Sequence, residues 1–228
     1  MPAVTRGPNE RLIATRGSRH ALGTPALVLD LDAMEANIAS MAEHAHVHGY
    51  ALRPVAKIHK SVEIARRQVA AGGVGVCCAT LAESEVMADA GVPGVMLFTS
   101  VVTAPKLERL AALNARADDL IVVADDSSNL AQLAQAGRRS GRSLQLLVDI
   151  EVGGGRTGIA DEQRAVELAR LAADTDGLEY AGLHGYVGKH QNTVDYDVRR
   201  MRSRELLQPL VRPASTRWHL HLPPRSLP

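Results

Sequence analysis

The chain has 228 residues, 46% of them hydrophobic and 22% charged, which excludes a disordered tail or a fibre and suits one large domain or two small ones. Lys and Arg number 26 against 25 Asp and Glu, so the chain lacks the basic field of nucleic-acid binders. Aromatics at 3% exclude base-stacking platforms and sugar-binding aromatic strips, leaving a small-molecule partner and an aliphatic, alanine-rich core.

From Leu27 onward, short aliphatic runs alternate with segments of helical periodicity, the pattern of an α/β fold with a parallel sheet. A strand is predicted at Leu27–Asp30, then a helix whose Met34, Ile38, Met41 and Ala45 share a face, with Asp32 near its positive end. A strand from Tyr50 to Val55 precedes a helix from about Ser61. The strand Val74–Cys77 leads into a helix opened by a Thr80/Glu83 capping box. The strand Val95–Phe98 is followed by a helix with Thr103 as its cap, Pro105 in its first turn and Leu107, Leu110 and Leu113 on one face. Then come strand Leu120–Ala124, a helix from Ser127, strand Leu144–Ile150, a helix from Asp161, strand Leu178–Gly185 and a last helix over 195–207.

Six strands from Tyr50 onward, spaced as βα units, predict about six of the eight units of a TIM-type (β/α)8 barrel. Residues 209–228 hold five prolines, three arginines and no acid, so they read as an atypical tail, either a flexible extension or the product of truncation or a frame change. The domain reading is therefore an N-terminal extension over 1–23, a partial barrel over 24–208 and a tail over 209–228. Cys77 and Cys78 are sequence neighbours and imply no disulfide framework. Arg6, Arg11, Arg16 and Arg19 mark an N-terminus without an apolar h-region, and no run is long enough to span a membrane. The expected location is cytoplasmic.

Three clusters at strand ends could carry chemistry. Arg53-Pro-Val-Ala-Lys57-Ile-His59-Lys60 offers Lys57 as a Schiff-base nucleophile, with Arg53 and Lys60 as neighbouring charges that would lower its pKa; a solvated or anion-binding basic loop is the alternative. Val148-Asp-Ile-Glu-Val-Gly153-Gly-Gly-Arg156-Thr-Gly158 contains G-x-G-x-x-G, so a dinucleotide binder is one reading, although the acid expected after the next strand is absent. The other readings are a tight turn, or a backbone that approaches a ligand while Arg156 presents a fixed cation. His184, Tyr186 and His190 follow the sixth strand, where Tyr and His could orient a ring or move protons. His44-x-His46-x-His48 and His219-x-His221 read as surface, with no metal ligand assigned.

These clusters resemble one family, the fold-type III pyridoxal-phosphate enzymes of the D-threonine aldolase and D-serine dehydratase-like group, kin to alanine racemase. Leu52-Arg-Pro-Val-Ala-Lys57-Ile-His-Lys60 is similar to the family's Arg-Pro-His-x-Lys-x-His-Lys, and Gly75–Thr80, Ser100–Lys106 and Val148–Gly158 also look like family segments. The resemblance implies that Lys57 is the catalytic lysine carrying pyridoxal 5'-phosphate, that Arg156 contacts the cofactor's phenolic oxygen and that Tyr186 lies beside its ring. It implies a lyase for D-β-hydroxy amino acids, with an amino-acid racemase and a non-catalytic remnant as alternatives. Val55 and Asn192 stand where the family has histidines. The family's glycine-rich phosphate loop and its C-terminal β-domain, which carries the divalent metal (Mn or Zn) site and homodimer contacts, have no counterpart in this sequence. The expectation is an open barrel with an exposed edge, weak cofactor binding and little turnover.

Overall fold

Five parallel strands, hydrogen-bonded in sequence order, form the sheet of the computed structural model, which describes residues 7–13 and 15–211. They are β1 (Val76–Cys78), β2 (Val95–Leu97), β3 (Ile121–Ala124), β4 (Leu144–Asp149) and β5 (Leu178–His184). The helices are α1 (Leu31–Val47), α2 (Val62–Ala70), α3 (Leu81–Asp89), α4 (Ala104–Arg116), α5 (Ser127–Ser140), α6 (Glu162–Asp174) and α7 (Tyr196–Val211). The last helix runs past Gln208, while Trp218, His219 and His221 lie outside the described residues.

The strands carry few polar residues because both faces of the sheet are covered. Val76, Cys78, Val95, Leu97, Val122, Ala124, Leu144, Leu146 and Val148 point one way, into a core shared with Leu110, Leu133 and Leu168 of the helices. The alternate positions Cys77, Met96, Ile121, Val123 and Leu147, with Phe98, pack on the opposite face as a second cluster. Truncating a completely buried residue such as Leu133 to Ala costs about 2–5 kcal/mol, against about 1 kcal/mol for a lost helix cap, so the layered core holds the elements and the caps set where they start.

The capping box read from Thr80 and Glu83 forms. The Thr80 hydroxyl accepts the Glu83 amide at 3.2 Å, and the Glu83 carboxylate returns to the Thr80 amide at 3.3 Å and the Ala79 amide at 2.9 Å. Ser61, Asp126 and Asp161 cap α2, α5 and α6 through their side chains, whereas Thr103 precedes α4 without a side-chain bond. Helix α1 is capped by Asp30, which accepts the Ala33 amide at 3.0 Å.

Two predicted strands take other forms. Leu27–Asp30 is extended but unpaired, with Leu27, Val28 and Leu29 exposed. Tyr50–Val55 runs beside β1 and gives one parallel bridge, Val55 to Cys77. The carbonyls of Leu52 and Pro54 accept the amides of Val74 and Cys77, and the Ala56 amide returns to the Cys77 carbonyl. Pro54 has no N–H to give, which holds this segment at the level of an irregular edge. Of the predicted apolar face of α1, only Ala45 is buried; Met34, Ile38 and Met41 line an open groove of about 850 Å³ with Leu52 and Ile58. Among the described residues no helix is long and apolar enough to cross a membrane.

Thr80→Ala removes one half of the capping box, and the expected loss is about 1 kcal/mol of stability, read as a lower denaturant midpoint at unchanged slope. An unchanged midpoint would show that the Glu83 half suffices alone.

Candidate functional site

Parallel strands joined by helices bring every strand-to-helix loop to one end of the sheet. The loop after Val55 is a turn over 56–59, anchored by the fully buried Ala56 and closed by the Lys60 amide on the Ala56 carbonyl at 2.8 Å. Lys57 is half-buried there, and its Nζ lies 5.3 Å from the centroid of the Phe98 ring, just beyond the end of β2. No carboxylate pairs with Lys57 among the described residues.

The flanking cations do not serve Lys57 as the sequence suggests. Arg53 reaches toward the opposite end of the strands, where Nε donates to the Gly94 carbonyl at 3.0 Å and Nη2 to Asp119 at 3.2 Å; Gln145 donates to the other Asp119 oxygen. Lys60, with φ of 50°, points its amine at Glu83, 3.6 Å away. The two charges expected to depress Lys57 are each matched by a carboxylate elsewhere. Next to Lys57, His59 accepts the Ser61 amide at Nδ1 (3.0 Å), and burial lowers its pKa below the ordinary 6.5. This imidazole is held neutral within its own loop.

The glycine-rich loop after β4 also differs from the dinucleotide reading. Glu151 turns its carboxylate back into the loop, where the Arg156 amide donates to it at 3.1 Å. The amides of Gly155, then of Gly154 and Gly153, hold the carboxyl below its ordinary range. An anion belonging to the chain thus engages the Arg156 amide, while its second oxygen, Oε1, is buried without a hydrogen-bond partner among the described residues. The loop rejoins the sheet through a bridge between Ile150 and Ile159. Gly158 makes that return possible: its φ is 98°, and a Cβ would sit 2.5 Å from the Ile150 carbonyl carbon.

Arg156 and Tyr186 are brought together, the guanidinium 5.5 Å over the tyrosine ring. The ring lies against Gly188, where a Cβ would meet the Tyr186 hydroxyl, and Lys189 ties this segment to the loop by donating to the Gly153 carbonyl. Lys57 stands on the other flank of the same rim, with no hydrogen bond or ring contact to the pair. The rings of His44 and His48 lie 4.3 Å apart and tilted at 36° on the exposed end of α1. Cys77 and Cys78 are free thiols within β1, and burial raises Cys78 to about 11, which keeps it unreactive.

One pairing escaped the sequence reading. Asp149, the last residue of β4, accepts a hydrogen bond from His184 Nδ1 at 2.7 Å, with the carboxylate buried. The two residues are register partners because of an irregularity between Leu146 and Leu147, opposite which Ala181 is the extra residue.

Residues 29–219 match the family described as alanine racemase, N-terminal domain. Over 178 residues the chain is 37% identical to 3-hydroxy-D-aspartate aldolase of Paracoccus denitrificans (strain Pd 1222), which covers 78% of this chain and 46% of that protein. It is 41% identical over 169 residues to D-threonine aldolase of Arthrobacter sp, 74% of this chain and 44% of that one. The crystal structure of D-threonine aldolase from Filomicrobium marinum superposes with a TM-score of 0.78 at 43% identity, covering 81% of this chain and 50% of that chain. The chain spans about half the length of the curated relatives it matches. Its five parallel strands are part of an alanine racemase-like barrel, and the chain belongs to the alanine racemase N-terminal domain family, within the fold-type III pyridoxal-phosphate enzymes.

Proposed function

We propose that this chain carries the cofactor-bearing rim of a cytoplasmic pyridoxal-phosphate lyase for D-β-hydroxy amino acids, of the D-threonine aldolase or D-serine dehydratase type. The observation that carries the reading is Lys57: a half-buried amine at the strand-end rim, free of any carboxylate among the described residues, while Arg53 and Lys60 on either side are both paired. An amine tied to a carboxylate is not available as a nucleophile, whereas Lys57 Nζ has no carboxylate partner among the described residues and stands at the rim where an aldehyde could reach it.

The residues present fit the aldehyde and ring of the cofactor. Lys57 would hold the aldehyde carbon through Nζ, Arg156 would give donors to the phenolic oxygen, and Tyr186, whose ring already faces the Arg156 guanidinium, would flank the ring. Phe98 beneath Lys57 excludes water from one side of the amine. The loop over 153–158 does not fit the phosphate, since the Glu151 carboxylate sits against it and takes the Arg156 amide, and a second anion there would be repelled. When bound, the cofactor supplies an electron sink for the charge left at Cα of an amino acid. The relatives named above as aldolases favour cleavage of Cα–Cβ over racemisation, and the closed glycine loop argues against NAD. The Mn or Zn requirement and the homodimer expected from the resemblance belong to this proposal, without ligands assigned in this chain.

Incubating the 228-residue chain with pyridoxal phosphate, reducing with borohydride and mapping peptides should place the pyridoxyl group on Lys57, and Lys57→Ala should abolish it. Label on Lys60 alone would refute the assignment. Glycine and acetaldehyde from D-threonine mark the lyase; L-allo-threonine, the epimer at Cα, marks a racemase.

The loop that presents Lys57 also carries a pH signature. Because the folded pKa of His59 lies below the ordinary 6.5, the unfolded chain takes up a proton that the folded imidazole refuses. Stability contributed by neutral His59 is therefore complete above about pH 6.5 and is lost as pH falls toward the folded value. The denaturation midpoint of the unaltered chain should fall more between about pH 7.5 and about pH 5.5 than that of His59→Gln. Equal falls would mean that His59 is solvated.

A further inference from the structure

We propose that Glu151 is the positioning residue for Arg156: its carboxylate sets the loop after β4 so that the guanidinium stands over Tyr186 before any ligand arrives. The inference rests on the lyase reading above, in which Arg156 meets the phenolic oxygen of the cofactor.

Arg156 sits in a stretch that glycine leaves free to turn, with φ of 91° at Gly153, 65° at Gly155 and 98° at Gly158. Both ends of that stretch are tied down. The Glu151 amide donates to the Ile159 carbonyl at 3.0 Å, and the Gly158 amide donates to Asp125 at 3.1 Å. At Arg156 itself the tie is the Glu151 carboxylate, whose Oε2 accepts the Arg156 amide at 3.1 Å. That contact engages the backbone, and no carboxylate pairs with the guanidinium among the described residues. The loop is therefore held while the side-chain N–H donors stay free for a ligand oxygen.

The surroundings of Glu151 argue that its charge has a use. Gly154 passes between the carboxylate and the segment after β5: a Cβ there would lie 3.8 Å from Glu151 Oε1 and 3.0 Å from the Tyr186 carbonyl oxygen. Oε1 is buried with no hydrogen-bond partner among the described residues. An unmatched carboxylate oxygen is costly to bury, and a neutral side chain would fill the same space without that cost. The return comes at Oε2, through a charge-assisted bond stronger than a neutral one. Tyr186 is fixed separately, by its ring against Gly188 and by Lys189 donating to the Gly153 carbonyl. The 5.5 Å contact of Arg156 with Tyr186 thus joins two segments that are each anchored.

Without the Oε2 contact Arg156 spends time elsewhere, and a ligand that needs it in place binds more weakly in proportion to the competent fraction. A hydrogen bond to a charged group is worth about ten- to a hundredfold in such an equilibrium.

The test uses the 228-residue chain. With ¹⁵N-labelled arginines and no ligand, the Tyr186 ring current should displace the Arg156 Nε–H signal, and Glu151→Ala should return it to its position in Tyr186→Leu. Borohydride labelling of Lys57 is then compared for pyridoxal, which has the phenolic oxygen but no phosphate, and pyridine-4-carbaldehyde, which has neither. Glu151→Ala should raise the pyridoxal concentration for half-labelling by about ten- to a hundredfold and leave that for pyridine-4-carbaldehyde unchanged. Glu151→Gln, whose side-chain oxygen still accepts the Arg156 amide, should lose less. An unmoved arginine signal, unchanged pyridoxal labelling or an equal loss with both aldehydes would overturn the inference. So would tighter labelling of Glu151→Ala by pyridoxal phosphate with pyridoxal unaffected, which would make Glu151 a guard against phosphate. Absence of label on Lys57 in the unaltered chain would instead overturn the lyase reading, and the arginine signal would still decide the role of Glu151.

Discussion

Parallel pairing of successive strands is the constraint on which the site depends. Each strand must be followed by a return over the face of the sheet, so every strand-to-helix loop emerges at the same end. Lys57, the loop from Glu151 to Gly158 and the segment around Tyr186 are distant in sequence and reach one rim for that reason alone. The same topology places Arg53 and Asp119 toward the other end of the strands, where they join the start of β2, the approach to β3 and Gln145 of β4 in one polar network. Reactive and structural charges are separated by the length of a strand.

Charge matching then decides which rim groups are available. Glu83 closes the capping box of α3 and also faces Lys60; Asp119 takes Arg53; Glu151 takes the Arg156 amide of its own loop. Each of these carboxylates consumes a cation or a set of donors that composition alone would leave free. Among the described residues, the Lys57 amine and the exposed Arg156 guanidinium keep no carboxylate partner. The exposed salt bridges, such as Arg109 with Glu85 and Arg116 with Asp89, join neighbouring helices and contribute little beyond holding their orientation.

Glycine has two separate uses around the rim. Gly158 lets the β4 loop close against Ile150, and Gly188 lets the Tyr186 ring lie flat on the backbone. Neither use involves a phosphate. The match to G-x-G-x-x-G is a consequence of a loop that must turn three times within a few residues, with positive φ at Gly153, Gly155 and Gly158.

The sequence by itself determined the order of helices and strands, the parallel sheet, the capping box at Thr80 and the placement of Lys57 just beyond a sheet edge, because each is a local property of periodicity, capping chemistry or turn residues. It overstated Leu27–Asp30 and Tyr50–Val55 as strands, since strand pairing needs a partner ladder and Pro54 removes a donor from one. Only the tertiary structure decided where Arg53 and Lys60 point, whose anion fills the glycine loop, and which face His184 occupies. Those outcomes depend on register between strands, and a single extra residue at Ala181 reverses the facing of everything after it. Pairing of Asp149 with His184 follows from that shift, and no local pattern in either segment records it.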